Sequence, residues 1–134
     1  MKTASYFLPL LLAGCAASPY QYMVDNRYGE IEPMPAPAAL VGTWTGTSGP
    51  YLLTIRLNED GRGLSCASWH KHESVNNLKF ADGRLYFPDG MGMMVNAQGG
   101  RLMATYDQKG MAPMHLRPDP NLVEASPYCK DKLR

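Results

Sequence analysis

His70 and His72, in the run His70-Lys71-His72-Glu73, are the clearest pair of coordinating side chains in the sequence. Positions i and i+2 of a strand share a face, so on a strand both rings would look the same way. Met91, Met93, Met94, Met103, Met111 and Met114, with His115, add soft donors, and thioether with imidazole is a ligand set that favours copper(I). Methionine is also an ordinary core filler, and strand alternation sends Met93 and Met94 to opposite faces. The plainer expectation is a hairpin tip with exposed histidines over a methionine-rich core, holding no metal and no other cofactor. Nucleophilic catalysis needs a base held beside a serine or cysteine. No Gly-x-Ser-x-Gly occurs, and none of the three histidines stands in a hydrolase-like context. Gly90-Met91-Gly92 lies between strands, where it is turn chemistry and not a phosphate cradle. An enzyme is therefore not expected.

The three cysteines, Cys15, Cys66 and Cys129, divide into one and two. Lys2 supplies a positive start, and Tyr6 to Leu12 forms an apolar run too short for a bilayer, which needs about 20 residues. It ends in Leu12-Ala13-Gly14-Cys15. Small residues before a cysteine at this distance from a charged start match the processing signal of bacterial lipoproteins. The expectation is cleavage after Gly14, lipidation of Cys15 and retention on a membrane by the lipid. Ala16 follows where an aspartate would retain the protein in an inner membrane, so the outer membrane of a Gram-negative cell is the expected location. With Cys15 carrying the lipid, Cys66 and Cys129 remain as a pair. In an oxidising compartment they would close a loop of roughly 60 residues, worth about 3–4 kcal/mol on the chain-entropy model.

Charge narrows the partners. The chain has 13 Lys+Arg against 12 Asp+Glu, and removing residues 1–14 removes only Lys2, leaving 12 against 12. A neutral surface of mixed sign gives no basis for nucleic-acid binding and none for polybasic adhesion to anionic lipid.

Three segments follow from this: a signal peptide at 1–14, a lipidated tether at 15–39 and a folded domain at 40–134. Pro19, Pro33, Pro35 and Pro37 exclude a helix interior around them, so the tether is expected to be extended and free of the domain. Tyr20, Tyr22 and Tyr28 are the tether residues able to dock. From Leu40 the pattern is all-β. Tyr51, Leu53, Ile55 and Leu57 alternate with Leu52, Thr54, Arg56 and Asn58, a period of two. Asn58-Glu59-Asp60-Gly61, Asp82-Gly83, Pro88-Asp89-Gly90, Gln98-Gly99-Gly100 and Lys109-Gly110 read as turns. Strands are expected over 40–47, 51–58, 63–70, 77–81, 84–87, 91–96, 101–107 and 114–116, with a helical turn at Asn121–Ala125. Such spacing predicts a small antiparallel meander of about seven or eight strands, closed into a barrel to avoid bare edges.

Leu40-Val41-Gly42-Thr43-Trp44-Thr45-Gly46 resembles the Gly-x-Trp opening strand of lipocalins and avidins. That resemblance implies that Trp44 plugs one end of a barrel and that Arg117 packs over its ring. Together with Leu57 to Cys66, Val75 to Lys79, Leu85 to Gly90 and Ala125-Ser126-Pro127-Tyr128-Cys129, the same strand is similar to an uncharacterised family of small lipoproteins of Gram-negative bacteria. This implies an envelope location and a shared domain. Tyr106 to Ala112 resembles the late segment of lysozyme-inhibitor lipoproteins, in which a lysine enters the enzyme cleft.

The function expected is a non-catalytic binding or interaction role on the membrane, toward an envelope protein or a peptidoglycan-related partner. The alternatives are a carrier of a small ligand or copper, or a lysozyme-type inhibitor. Strands of a small barrel are consumed by its core, so recognition is expected on loops. Trp69, His70 and His72 in one loop and Lys109 in another are the candidate binding residues. The competing expectation buries Trp69 and leaves Lys109 to solvate a turn.

Overall fold

The computed structural model describes residues 18–134. The processing signal and Cys15 lie outside the described residues. The elements in chain order are α1 (Pro19–Asp25), a 3-10 turn (Tyr28–Glu30), β1 (Gly42–Ser48), β2 (Tyr51–Leu57), β3 (Arg62–Trp69), β4 (His72–Ala81), β5 (Arg84–Tyr86), β6 (Gly92–Gln98), β7 (Arg101–Tyr106), β8 (Met114–Pro118) and α2 (Pro127–Lys132). The eight strands form one closed antiparallel barrel in sequence order. β1 completes the ring against β8, with Trp44 opposite Pro118 and Thr45 opposite Arg117. The all-β barrel predicted from turn spacing is the fold.

Period-two alternation fills the interior. Leu53, Ile55 and Leu57 of β2 point inward, as do Leu78 and Phe80 of β4, Leu85 of β5, and Met93 and Val95 of β6. Leu102, Ala104, Met114 and Leu116 close the same core from β7 and β8. Burying a side chain of this size stabilises by about 1.5–3 kcal/mol. The Asp82-Gly83 hairpin has φ of 50° and 76° at its two residues. Two positive φ angles in a two-residue loop match the right-handed twist of the flanking strands.

A second, smaller core lies outside the wall. The chain after β8 folds back over the outer faces of β3 and β4, where Leu122, Ala125, Cys129 and Leu133 pack on Cys66, Leu64 and Val75. Cys66 and Cys129 are joined by a disulfide with Cα atoms 5.7 Å apart. The helical turn expected at Asn121–Ala125 is not a helix; α2 begins later, at Pro127. Ser126 caps it, its hydroxyl accepting the Cys129 N–H at 3.1 Å, and Pro127 occupies the first turn, a serine-proline start signal.

Residues 121–125 instead wind around Asp119, which is 3% exposed. Its carboxylate accepts the N–H groups of Val123 (2.7 Å), Glu124 (3.2 Å) and Ala125 (3.1 Å). It also accepts the Thr45 hydroxyl at 2.8 Å, and Thr45 lies 2.9 Å from the Thr54 hydroxyl. Because the Thr45 proton points to the carboxylate, Thr54 is the donor in that second pair.

The segment before β1 departs from the free tether expected of it. α1 is a short helix, and residues 26–40 are seated on the barrel. Lys79 Nζ donates to Tyr28 O at 2.9 Å and lies 4.2 Å from the Tyr28 ring centre. Met34 N–H donates to Phe80 O (2.8 Å) and Ala36 N–H to Glu59 O (3.0 Å). This passage requires Gly61: with φ of +84°, a Cβ there would stand 2.0 Å from Met34 O.

Candidate functional site

Antiparallel strands in sequence order put every second connection at the same end. The β2–β3, β4–β5 and β6–β7 turns crowd one end, where Trp44 fills the interior and its Nε1–H donates to Leu40 O at 2.9 Å. Arg117 does not cover this ring. It pairs with Thr45, whose face is opposite to that of Trp44, and it projects outward into solvent. The plug is held by the backbone before β1 instead.

The other end is open. It carries the β1–β2 turn, the β3–β4 tip, the β5–β6 loop (87–91) and the β7–β8 loop (107–113). Both loops singled out by their chemistry are therefore at this end. Their places in the strand order, after β3 and after β7 of eight, set them on opposite sides of the mouth.

The β3–β4 tip is a ring cluster. Trp69, the last residue of β3, is 40% exposed. Tyr51 meets it edge-on at 5.6 Å between centroids, His72 stacks at 5.8 Å and His70 is tilted at 5.7 Å. Edge and offset contacts of this kind hold aromatic geometry beyond simple area burial. His70 has φ of 52° in the turn and His72 begins β4, so the pair does not lie along one strand; both imidazoles rest on the indole instead. β4 starts five residues before the strand expected at Asn77. Its first three residues, His72, Glu73 and Ser74, are polar and exposed, so no hydrophobic alternation marks its start.

Inside the rim lies a recess of about 130 Å³, lined by Leu53, Ser65, Ala67, Asn76, Phe87, Met93 and Tyr106 among others. It exists because β3 and β4 turn small or polar side chains inward at this end: Ser65 and Ala67 stand opposite Asn76 and Ser74. Across the mouth, Arg84 pairs with Asp107 and Asp107 N–H donates to Gly92 O at 3.1 Å. These contacts fix the start of the loop that presents exposed Lys109 beside Gly110.

The soft donors are spread over four environments. Met93 and Met114 face the core, Met94 is on the outer wall, and Met103 sits there opposite His115. Met91 borders the recess and Met111 is in the exposed loop. The arrangement does not gather them with His70 and His72 into one copper shell. Sequence reading missed Tyr51 as the partner of Trp69, and it missed Asp119. The signal for Asp119 was present in Pro118-Asp119-Pro120, an acidic side chain fixed between two residues without N–H groups.

A closed eight-stranded barrel with a tryptophan at one end, a mouth at the other and a C-terminal helix on its wall defines a lipocalin-like protein. The chain belongs to the family described as bacterial lipocalin LPS transport optimiser YedD, whose model matches residues 25–133. The fold is similar to that of a lipoprotein YedD from Klebsiella pneumoniae subsp. pneumoniae MGH 78578. That match has a TM-score of 0.55 at 19% identity and covers 80% of this chain and 92% of that one. It is also similar to a putative lipoprotein from Streptococcus pneumoniae (TM-score 0.52, 17% identity, 63% of this chain and 98% of that one). A lipocalin lipoprotein affecting virulence in Streptococcus pneumoniae matches at TM-score 0.52 and 16% identity, again over 63% and 98% of the two chains. No curated protein sequence matches the chain.

Proposed function

We propose that this protein is a non-catalytic module of the outer membrane, anchored by lipid on Cys15, that assists lipopolysaccharide transport by engaging an envelope protein through the open rim. The family description supports the process. The observation that carries the mode of action is the rim itself: exposed Trp69 in a ring cluster on one side, Lys109 on the other, and a recess of about 130 Å³ between them. Pockets that enclose small molecules are larger, about 300–1,000 Å³. This recess admits one side chain or the end of a short apolar group, and it favours an interaction module over a carrier. Tryptophan and a flexible cation are frequent anchors of protein interfaces.

The test is a photo-crosslinking amino acid placed in living cells at position 69, 109 or 132, followed by mass spectrometry. The reading expects the same envelope protein from positions 69 and 109 and not from 132. Adducts from 132 alone would remove it. Copper titration and a lysozyme-inhibition assay address the two alternatives; Lys109 on its exposed loop is the observation that favours the second. Lipidation is tested by Cys15→Ser, which should abolish palmitate labelling and leave unprocessed precursor or released soluble protein; a correctly processed variant still held on the membrane would refute the anchor.

A further inference from the structure

Tyr20, Met23 and Val24 occupy positions i, i+3 and i+4 of α1, one face of a helix. They are 70%, 66% and 59% exposed. We infer that this face lies in the headgroup layer of the membrane holding the Cys15 lipid, and that the barrel stands on that membrane with its open rim toward the bilayer. The inference rests on lipidation of Cys15.

Chain length selects the bilayer as the occupant. Tyr20 is five residues from Cys15, so at no more than ~3.6 Å per residue it lies within roughly 18 Å of the lipidated sulfur. Residues 16–24 contain no lysine or arginine, so the contact is apolar rather than a polybasic attraction. Tyrosine is favoured at this depth of a membrane, and an amphipathic helix in the interface buries its apolar face at the headgroup boundary.

The seat of residues 26–40 then fixes the orientation. α1 ends at Asp25, and Asn26 Nδ2 donates to Pro88 O at 2.7 Å in the β5–β6 loop of the open end. Asp25 lines a small surface recess together with Tyr86, Phe87 and Gly90 there. Four residues up to Pro19 at most ~3.5 Å each and seven helical ones at ~1.5 Å place the open end within about 25 Å of the anchor. The segment runs on to Met34 and Ala36 at the plugged end, farther from the membrane by the height of the strands, roughly 15–20 Å. The rim therefore reaches the membrane-proximal part of a partner.

The two tryptophans report this directly, Trp69 at the rim and Trp44 at the plug. The full lipidated protein is placed in neutral phosphatidylcholine vesicles containing headgroup-dansylated lipid, and energy transfer from tryptophan is measured. Strong transfer is expected in the unaltered protein and a loss of more than half of it in Trp69→Phe, which keeps Trp44. Transfer should persist in high salt. The combined variant Tyr20→Ser, Met23→Ser, Val24→Ser should stay anchored by its lipid yet lose at least half the transfer. Failure of the lipidated protein to associate with vesicles overturns both the anchor and the orientation. Association with transfer unchanged in Trp69→Phe overturns the orientation alone, and unchanged transfer in the triple variant overturns the seating of α1.

Discussion

Replacing Asp119 by alanine removes a buried acceptor on which two parts of the fold depend. Its carboxylate takes the Thr45 hydroxyl from β1 and three N–H groups from residues 123–125. Val123 and Glu124 are exposed residues, so water can partly replace their bonds. The Thr45 hydroxyl and the Ala125 N–H are buried, and each loses a charged acceptor worth about 1.5–3 kcal/mol. The expected loss in Asp119→Ala is about 3–5 kcal/mol, a large share of the ~5–15 kcal/mol that stabilises a domain. At about 4 °C per kcal/mol that is a fall in Tm of roughly 12–20 °C. Asp119→Asn keeps one acceptor oxygen and turns an NH2 toward the Ala125 N–H, so it should cost less, about 2 kcal/mol. Urea unfolding of the soluble protein beginning after Cys15, with its disulfide intact, measures both. A double-mutant cycle with Thr45→Val isolates the bond across the wall and should give a coupling of at least ~1 kcal/mol. A loss under ~1 kcal/mol in Asp119→Ala, or strict additivity with Thr45→Val, would refute the reasoning.

Gly61→Ala should destabilise by about 1–3 kcal/mol, because its Cβ would stand 2.0 Å from Met34 O at φ of +84°; amide exchange at Met34 and Ala36 should rise with it. Cys66→Ser with Cys129→Ser opens a loop with a sequence separation of 63 and should cost about 4 kcal/mol on the chain-entropy model; intact mass with and without reductant first establishes that the unaltered protein holds the bond. Trp69→Ala and Lys109→Ala, both on exposed rim residues, should each weaken partner capture at least ~5-fold with Tm moved by less than about 3 °C, whereas Lys132→Ala should do neither; a Trp69→Ala protein that unfolds, beside a Lys109→Ala protein that binds normally, would count against the rim.

The barrel was legible where each residue's local chemistry matched its place in the fold. Leu53, Ile55 and Leu57 alternate because one face of β2 is core, and Asp82-Gly83 is the kind of pair its turn demands. The start of β4 was not legible, because His72 to Ser74 are solvated and no burial imposes a pattern there. The seating of residues 26–40 was hidden in a feature read only as stiffness. Pro33, Pro35 and Pro37 carry no N–H, so the donors left between them are those of Met34 and Ala36, and both bond to the barrel. Alternating prolines made an edge-like segment with its donors spent on the domain. Half of the candidate site followed from topology: in an even-stranded antiparallel ring the connections after β3 and β7 must share an end. The recess, the Tyr51–Trp69 contact and the hold of Asn26 on the mouth depend on pairs far apart in sequence, which no local pattern encodes.

The distribution of rigidity explains how so small a barrel can present a defined surface. The interior is spent on core from the Trp44 plug to Met93, leaving a recess of about 130 Å³ below the rim. Contacts outside the wall add to the strand pairing that orders the rim. Cys66 lies three residues before Trp69 on β3 and is tied to α2 by the disulfide, with Leu122, Ala125 and Leu133 packed over it. Asp119 holds the chain that makes this cover and ties it to β1 and, through Thr45, to β2. Tyr51 then begins β2 beside the Trp69 ring. On the far side, Arg84 and Asp107 brace the start of the Lys109 loop. Fixed anchors lose little freedom on binding, and under the proposed function that preorganisation would let a small rim act as a specific contact. The C-terminal cover and the buried carboxylate, remote from the mouth, are thus what shape it.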